Sequence, residues 1–125
     1  MSEDLFPDHP ELDTAYLNDT YSDDAETAVM MFENYLLELP ENQKLLHDSY
    51  NNKDLPLFRQ LIHKQKPSFS YVGLTGISDQ FHQLQIKCLQ VSDLDTYKEE
   101  IQTALSQIDS STPVIEQTLE QLRKA

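Results

Sequence analysis

The sequence predicts an all-α protein, an antiparallel bundle of amphipathic helices, on three observations. Only two glycines, Gly73 and Gly76, occur in 125 residues, too few for the tight turns that a sheet protein needs. The abundance of Leu, Glu, Gln, Asp and Lys favours helix over sheet. Apolar residues recur at steps of three and four along much of the chain, whereas strand-like alternation is weak throughout.

Residues 1–11 are acidic and carry Pro7 and Pro10, so a flexible N-terminal arm is expected ahead of one domain spanning 12–125. The stretch ELDTAYLNDTY suits a short helix packing through Leu12, Tyr16 and Leu17. A firmer helix is predicted from near Ser22, with Asp23 and Glu26 spaced as a capping pair. It runs through Val29, Met30, Phe32, Tyr35, Leu36 and Leu37, and Pro40 is expected to close it. ENQKLLHDSY reads as another helix, ending in the turn-like NNKD. Asp54 is a good N-cap for the next helix, with Pro56 tolerated in the first turn. That helix carries Leu57, Phe58, Leu61, Ile62, Phe69 and Val72, and Gly73 can end it. Leu74, Ile77, Phe81, Leu84, Cys88 and Val91 then form a single apolar stripe. A last helical region holds Leu94, Tyr97, Ile101, Leu105 and Ile108. Pro113 is expected to kink or restart it before Ile115, Leu119 and Leu122.

The formal charge of −13 argues against nucleic acid and anionic membranes as partners, because both would be repelled. With Cys88 as the only cysteine, no intrachain disulfide can form. The opening MSEDLFPDHPEL has neither the basic nor the apolar region of a secretory signal, and no apolar run approaches the roughly 18 residues of a membrane helix. A monomeric, cytoplasmic protein is expected.

The stretch IHKQKPSF places Pro67 four residues after His63, inside a predicted helix. Each helical residue advances about 100° around the axis. With Leu57 at zero, the apolar set centres near ~80° and His63 falls near ~240°, so the imidazole faces outward. Arg59, Pro67 and Ser70 share its side, and Lys64 and Lys66 flank it. No acidic residue lies between Asp54 and Asp79, although the chain has 22. An acidic protein thus carries a small cationic island around an exposed imidazole, a setting suited to a dianion. Neighbouring ammonium groups favour neutral, nucleophilic imidazole and can offset phosphoryl charge during transfer.

Around His63 the order is Lys66 three residues on, then Ser68, then Val72-Gly73. Ile77, Phe81 and Leu84 continue the pattern, with Gln85 after them and Asp54 ahead of the helix. This ordered set resembles histidine-containing phosphotransfer (HPt) domains, whose signature is H-x-x-K-G-S followed by a hydrophobic-Gly pair and an amphipathic continuation. The resemblance is good over 54–85 and compatible over 12–125. Pro67 departs from the usual glycine and Gln65 from the usual leucine, and the lysine-proline form is similar to that of some bacterial members.

The resemblance implies a four-helix-bundle core, antiparallel, with an additional short N-terminal helix or arm. It further implies a phosphoryl carrier in two-component signalling, without kinase activity of its own. Such a protein relays a phosphoryl group between receiver-domain aspartates, as an N-phosphohistidine at His63. Lys66 and Lys64 would give electrostatic support, and Arg59, Pro67 and Ser70 would belong to the docking face. The implied partners are response-regulator receiver domains and a hybrid sensor histidine kinase. No cofactor is expected on this chain, since Mg2+ would sit on the receiver. The alternative is a helical adaptor that binds a signalling partner through the same face and is never phosphorylated.

A metal enzyme is a poorer fit. Only Asp79-x-x-His82 has suitable spacing, and His82 lies about 130° from its helix's apolar centre. His9 and His47 read as surface residues, Cys88 as a small core residue, and Met30 and Met31 as core. GLTG is too short to cradle phosphate.

Overall fold

The computed structural model describes residues 4–124. Five α-helices follow in order: α1 (Thr14–Tyr21), α2 (Ala25–Asn51), α3 (Leu55–Tyr71), α4 (Thr75–Cys88) and α5 (Lys98–Arg123), with a 3₁₀ turn at Leu94–Tyr97 before the last. Among the described residues there is no strand, and no helix is long and apolar enough to cross a membrane.

Aspartates start most of these elements. The carboxylates of Asp13, Asp24, Asp54 and Asp93 each accept the backbone N–H three residues on, at 3.0, 3.0, 3.2 and 3.1 Å. Each such cap is worth about 1 kcal/mol over alanine. Part of the acidity is therefore structural. The cap of α2 is Asp24, one residue later than the spacing of Asp23 and Glu26 predicts, because the Thr27 hydroxyl also donates to Asp24 at 2.7 Å.

The four longer helices close a ring, α2 against α3 and α5, and α4 against α3 and α5. Neighbours run antiparallel. Between α2 and α3, Gln65 Nε2 donates to the Asn42 carbonyl at 3.3 Å. Between α2 and α5, Gln43 Nε2 donates to Asp109 at 2.7 Å and Arg123 to Glu33 at 3.2 Å. Lys87 at the end of α4 reaches Glu100 at the start of α5, at 2.6 Å. Inside the ring, Phe69 meets Phe81 edge-on at 4.8 Å and Tyr35 at 6.0 Å.

The α4 stripe is buried as predicted from Leu74 to Cys88, but the helix stops there and Val91 lies beyond it, half-buried. Elsewhere the structure revises the reading. Pro40 does not end a helix, since α2 runs unbroken for 27 residues, and Pro113 likewise lies inside a continuous α5 of 26. Both prolines, like Pro67, are exposed. Each frees the carbonyl four residues back, Leu36, His63 or Asp109, on a side water can reach, so packing of the opposite face carries the helix through. By the pairings just given, the three prolines stand at nearly one height in three adjacent helices.

Met30 and Leu37, expected in the α2 stripe, are 52% and 79% exposed. The inward positions Ala28, Phe32, Tyr35, Leu46 and Ser49 fall on one face, at steps of three, four and eleven (three turns), and Met30 and Leu37 lie on the opposite side of that helix. Leu57 and Tyr16 also prove exposed, while Tyr21 is buried. The arm is held against the bundle chiefly through Phe6, with Leu5 packing beside the core and Thr14 donating to Asp8 at 3.5 Å. Phe6 is 2% exposed, its ring stacks on Phe32 at 5.8 Å, and its backbone exchanges two 3.0 Å hydrogen bonds with Asn18.

Candidate functional site

The buried face of α3, made by Phe58, Leu61, Ile62, Gln65 and Phe69, fixes which side chains face out. Gln65 is the one polar residue on that face. It stays in the interior, 5% exposed, because its amide is satisfied by Asn42 on α2. With that face locked, His63 and Lys64 are exposed, as is Pro67, and Arg59, Lys66 and Ser70 are half-buried. All six predicted site residues lie on the outer part of one helix, as the wheel places them. They do not all meet.

The closest contacts run to α4. His63 Nδ1 lies 2.8 Å from Gln85 Nε2, and Gln85 Oε1 lies 3.3 Å from the Lys66 ammonium. The same ammonium is 3.4 Å from His82 Nδ1. One antiparallel register explains all three contacts, since it sets 63 against 85 and 66 against 82. Lys66 therefore leans across the groove toward α4, beside the imidazole rather than away from it. Lys64 and Arg59 make no side-chain hydrogen bond or ion pair among the described residues, and Lys66 pairs with no carboxylate there. Lys44, Lys53, Lys87 and Arg123 each meet an acid within 4 Å, whereas Lys98 and Lys124, apart from this patch, make no ion pair among the described residues either. The cationic island foreseen from the sequence keeps its charge unneutralised.

Ser68 is turned to its own helix, its hydroxyl donating to the Gln65 carbonyl at 2.6 Å. The helix ends at Gly73, whose φ of +82° suits only glycine, and a Cβ there would lie 2.5 Å from Leu17 Cδ1. Tyr21 braces the same corner, donating to the Tyr71 carbonyl at 2.6 Å. Burial, with smaller contributions from Tyr16 and Tyr71, pushes its phenol up to about 12.

Gln85 and His82 are the residues that periodicity alone does not select. Gln85 is visible as the partner of the motif, and His82 as an outward position. That both converge on Lys66 depends on the α3/α4 register. The same register sets Leu89, which is 64% exposed, level with Arg59 one turn beyond the imidazole, with exposed Ile86 nearby. An apolar edge thus borders the cations.

Cys88 carries no chemistry here. It is fully buried, and burial raises its thiol pKa, outweighing the opposing pull of Arg59. Among the described residues no three His, Cys, Asp or Glu side chains gather as a metal site. A surface groove of about 620 Å³ lies between α2 and α5 along Met30, Leu37, Leu119 and Arg123, away from His63. No family model, no curated protein and no solved structure matches this chain.

Proposed function

We propose that this protein is a histidine phosphotransfer protein of a two-component relay, built as an antiparallel four-helix bundle of α2–α5 with α1 as the additional short helix. It acts as a monomer in the cytoplasm, carrying a phosphoryl group between receiver-domain aspartates. The observation that supports this most is the exposed His63 ring, held by Gln85 from the next helix, in a patch whose cations have no acidic partners among the described residues.

The transfer balances simply. A lone pair on His63 Nε2 attacks the phosphorus of the receiver's aspartyl phosphate. A nitrogen–phosphorus bond forms as the acyl oxygen–phosphorus bond breaks, and the aspartate leaves as a carboxylate. Return transfer reverses these steps. Lys66 and Lys64 offset charge on the phosphoryl oxygens, where positioning and electrostatics supply most of the rate. Arg59, Pro67 and Ser70 meet the receiver, and the Leu89 edge gives it apolar area to cover. The Mg2+ belongs to the receiver.

Mixing the protein with phosphorylated receiver domains tests the reading. Wild type should acquire acid-labile phosphate and His63→Gln should acquire none, with unchanged helical circular dichroism. A wild type that stays unlabelled while still binding those receivers would instead identify an adaptor.

A further inference from the structure

Either orientation is ordinarily open to a glutamine amide, but Lys66 leaves Gln85 only one. An ammonium donates and cannot accept, and it stands 3.3 Å from Gln85 Oε1. Turning the amide over would set NH2 against NH3+. Gln85 Nε2 therefore donates to His63 Nδ1 across 2.8 Å, and Nδ1 must supply the lone pair. The single proton of the neutral ring is then on Nε2. A nitrogen bearing that proton has no in-plane lone pair with which to attack phosphorus.

We propose that Lys66 and Gln85 form a tautomer latch on His63, which keeps Nε2 protonated until an anionic phosphoryl group draws the ammonium off Gln85. Once Lys66 turns to the anion, Oε1 is free, and the amide rotates to accept from Nδ1–H. The ring loses a proton from Nε2 to water and gains one at Nδ1 from water, so its charge is unchanged. Its nucleophilic nitrogen now faces the phosphorus. His82 Nδ1, 3.4 Å from Lys66, is a second acceptor that keeps the ammonium in the patch while Gln85 turns. Gln85 is a positioning residue, acting only through the imidazole. The latch's part in transfer rests on the phosphotransfer reading, whereas the latch itself is a property of the resting protein.

Nitrogen-15 NMR of the ring, on the full chain, tests it at about pH 8.5, some two units above the ordinary imidazole value. Gln85→Leu supplies the unlatched reference. Wild type should show a larger Nε2–H share than this reference. Lys66→Met should raise the Nδ1–H share by about threefold to tenfold, the shift expected from one net hydrogen bond. Gln85→Glu should make Nδ1–H the majority form, because a carboxylate only accepts. Inorganic phosphate, added until the Lys66 side-chain resonance moves, should shift wild type the same way as Lys66→Met.

A wild-type ratio equal to that of Gln85→Leu would overturn the latch, as would a Lys66→Met ratio equal to wild type. A phosphate titration that moves Lys66 but leaves the ring unchanged would overturn the trigger. Acid-labile phosphate on an unlatched ring would remove this proposal and keep the relay. A latched ring that never acquires phosphate would do the reverse.

Discussion

On the α3/α4 face, Arg59, Lys64 and Lys66 stand without acidic partners among the described residues, around an exposed imidazole. On the α2/α5 face, Glu33, Glu116 and Glu120 border the groove and its one cation, Arg123, is taken up by Glu33 at 3.2 Å. Both faces use exposed side chains on long amphipathic helices. They differ in what happens to the field. A surface pair such as Arg123–Glu33 contributes little stability and largely cancels its own potential. Unpaired cations keep theirs available to an arriving anion within a screening length of about 8–10 Å.

Substitutions that exchange the character of the two faces should have the largest effect. Lys66→Ala should slow phosphoryl transfer from a receiver by about tenfold or more in single-turnover assays, a modest share of a lost electrostatic contact at a reacting group. Arg123→Ala on the other face should leave the rate at the wild-type value. Equal losses from the two changes would erase the contrast.

The next effect concerns the corner that holds the α3/α4 face in place. Gly73→Ala combines a φ of +82° with a 2.5 Å approach to Leu17, and should destabilise the fold by about 1–3 kcal/mol in urea titration. No loss would mean that α1 can move aside freely.

A smaller effect is expected from Tyr21→Phe, which removes the hydrogen bond to the Tyr71 carbonyl and should cost about 1 kcal/mol. It also carries a pH signature. The folded-state pKa of Tyr21, pushed up to about 12, exceeds the ordinary phenol value. Its contribution is therefore complete below about pH 10 and is lost as pH rises toward 12. Urea midpoints should fall over that window in wild type, and less in Tyr21→Phe. Smallest of all, Pro67→Gly should transfer at a near-normal rate. A severe loss would show that the ring of Pro67 is needed in docking.

Much of the scaffold can be read from residue order. The α4 stripe from Leu74 to Cys88 is legible because each step is three or four, and Asp54 and Gly73 mark the ends of α3 by their own chemistry. Pro40 misleads, as does the restart expected at Pro113, because a proline's local penalty is visible while the packing that outweighs it is not. Phe6 carries no periodicity, so its place beneath α1 and α2 has no sequence signal. For the site, His63 facing outward is legible from α3 alone. The tie from His63 through Gln85 to Lys66 is not, since it depends on how two helices slide past each other.

The belt of Pro40, Pro67 and Pro113 has a consequence for how the molecule yields under load. Three of four neighbouring rods lack a rung at one level, so each has one hydrogen bond fewer to strain when it flexes there. If His63 receives a partner as proposed, that partner would press beside this level, and the carbonyl of His63 is itself one of the vacant rungs. Misalignment between the two proteins can then be absorbed as a slight tilt of the helix rather than paid for in its packing.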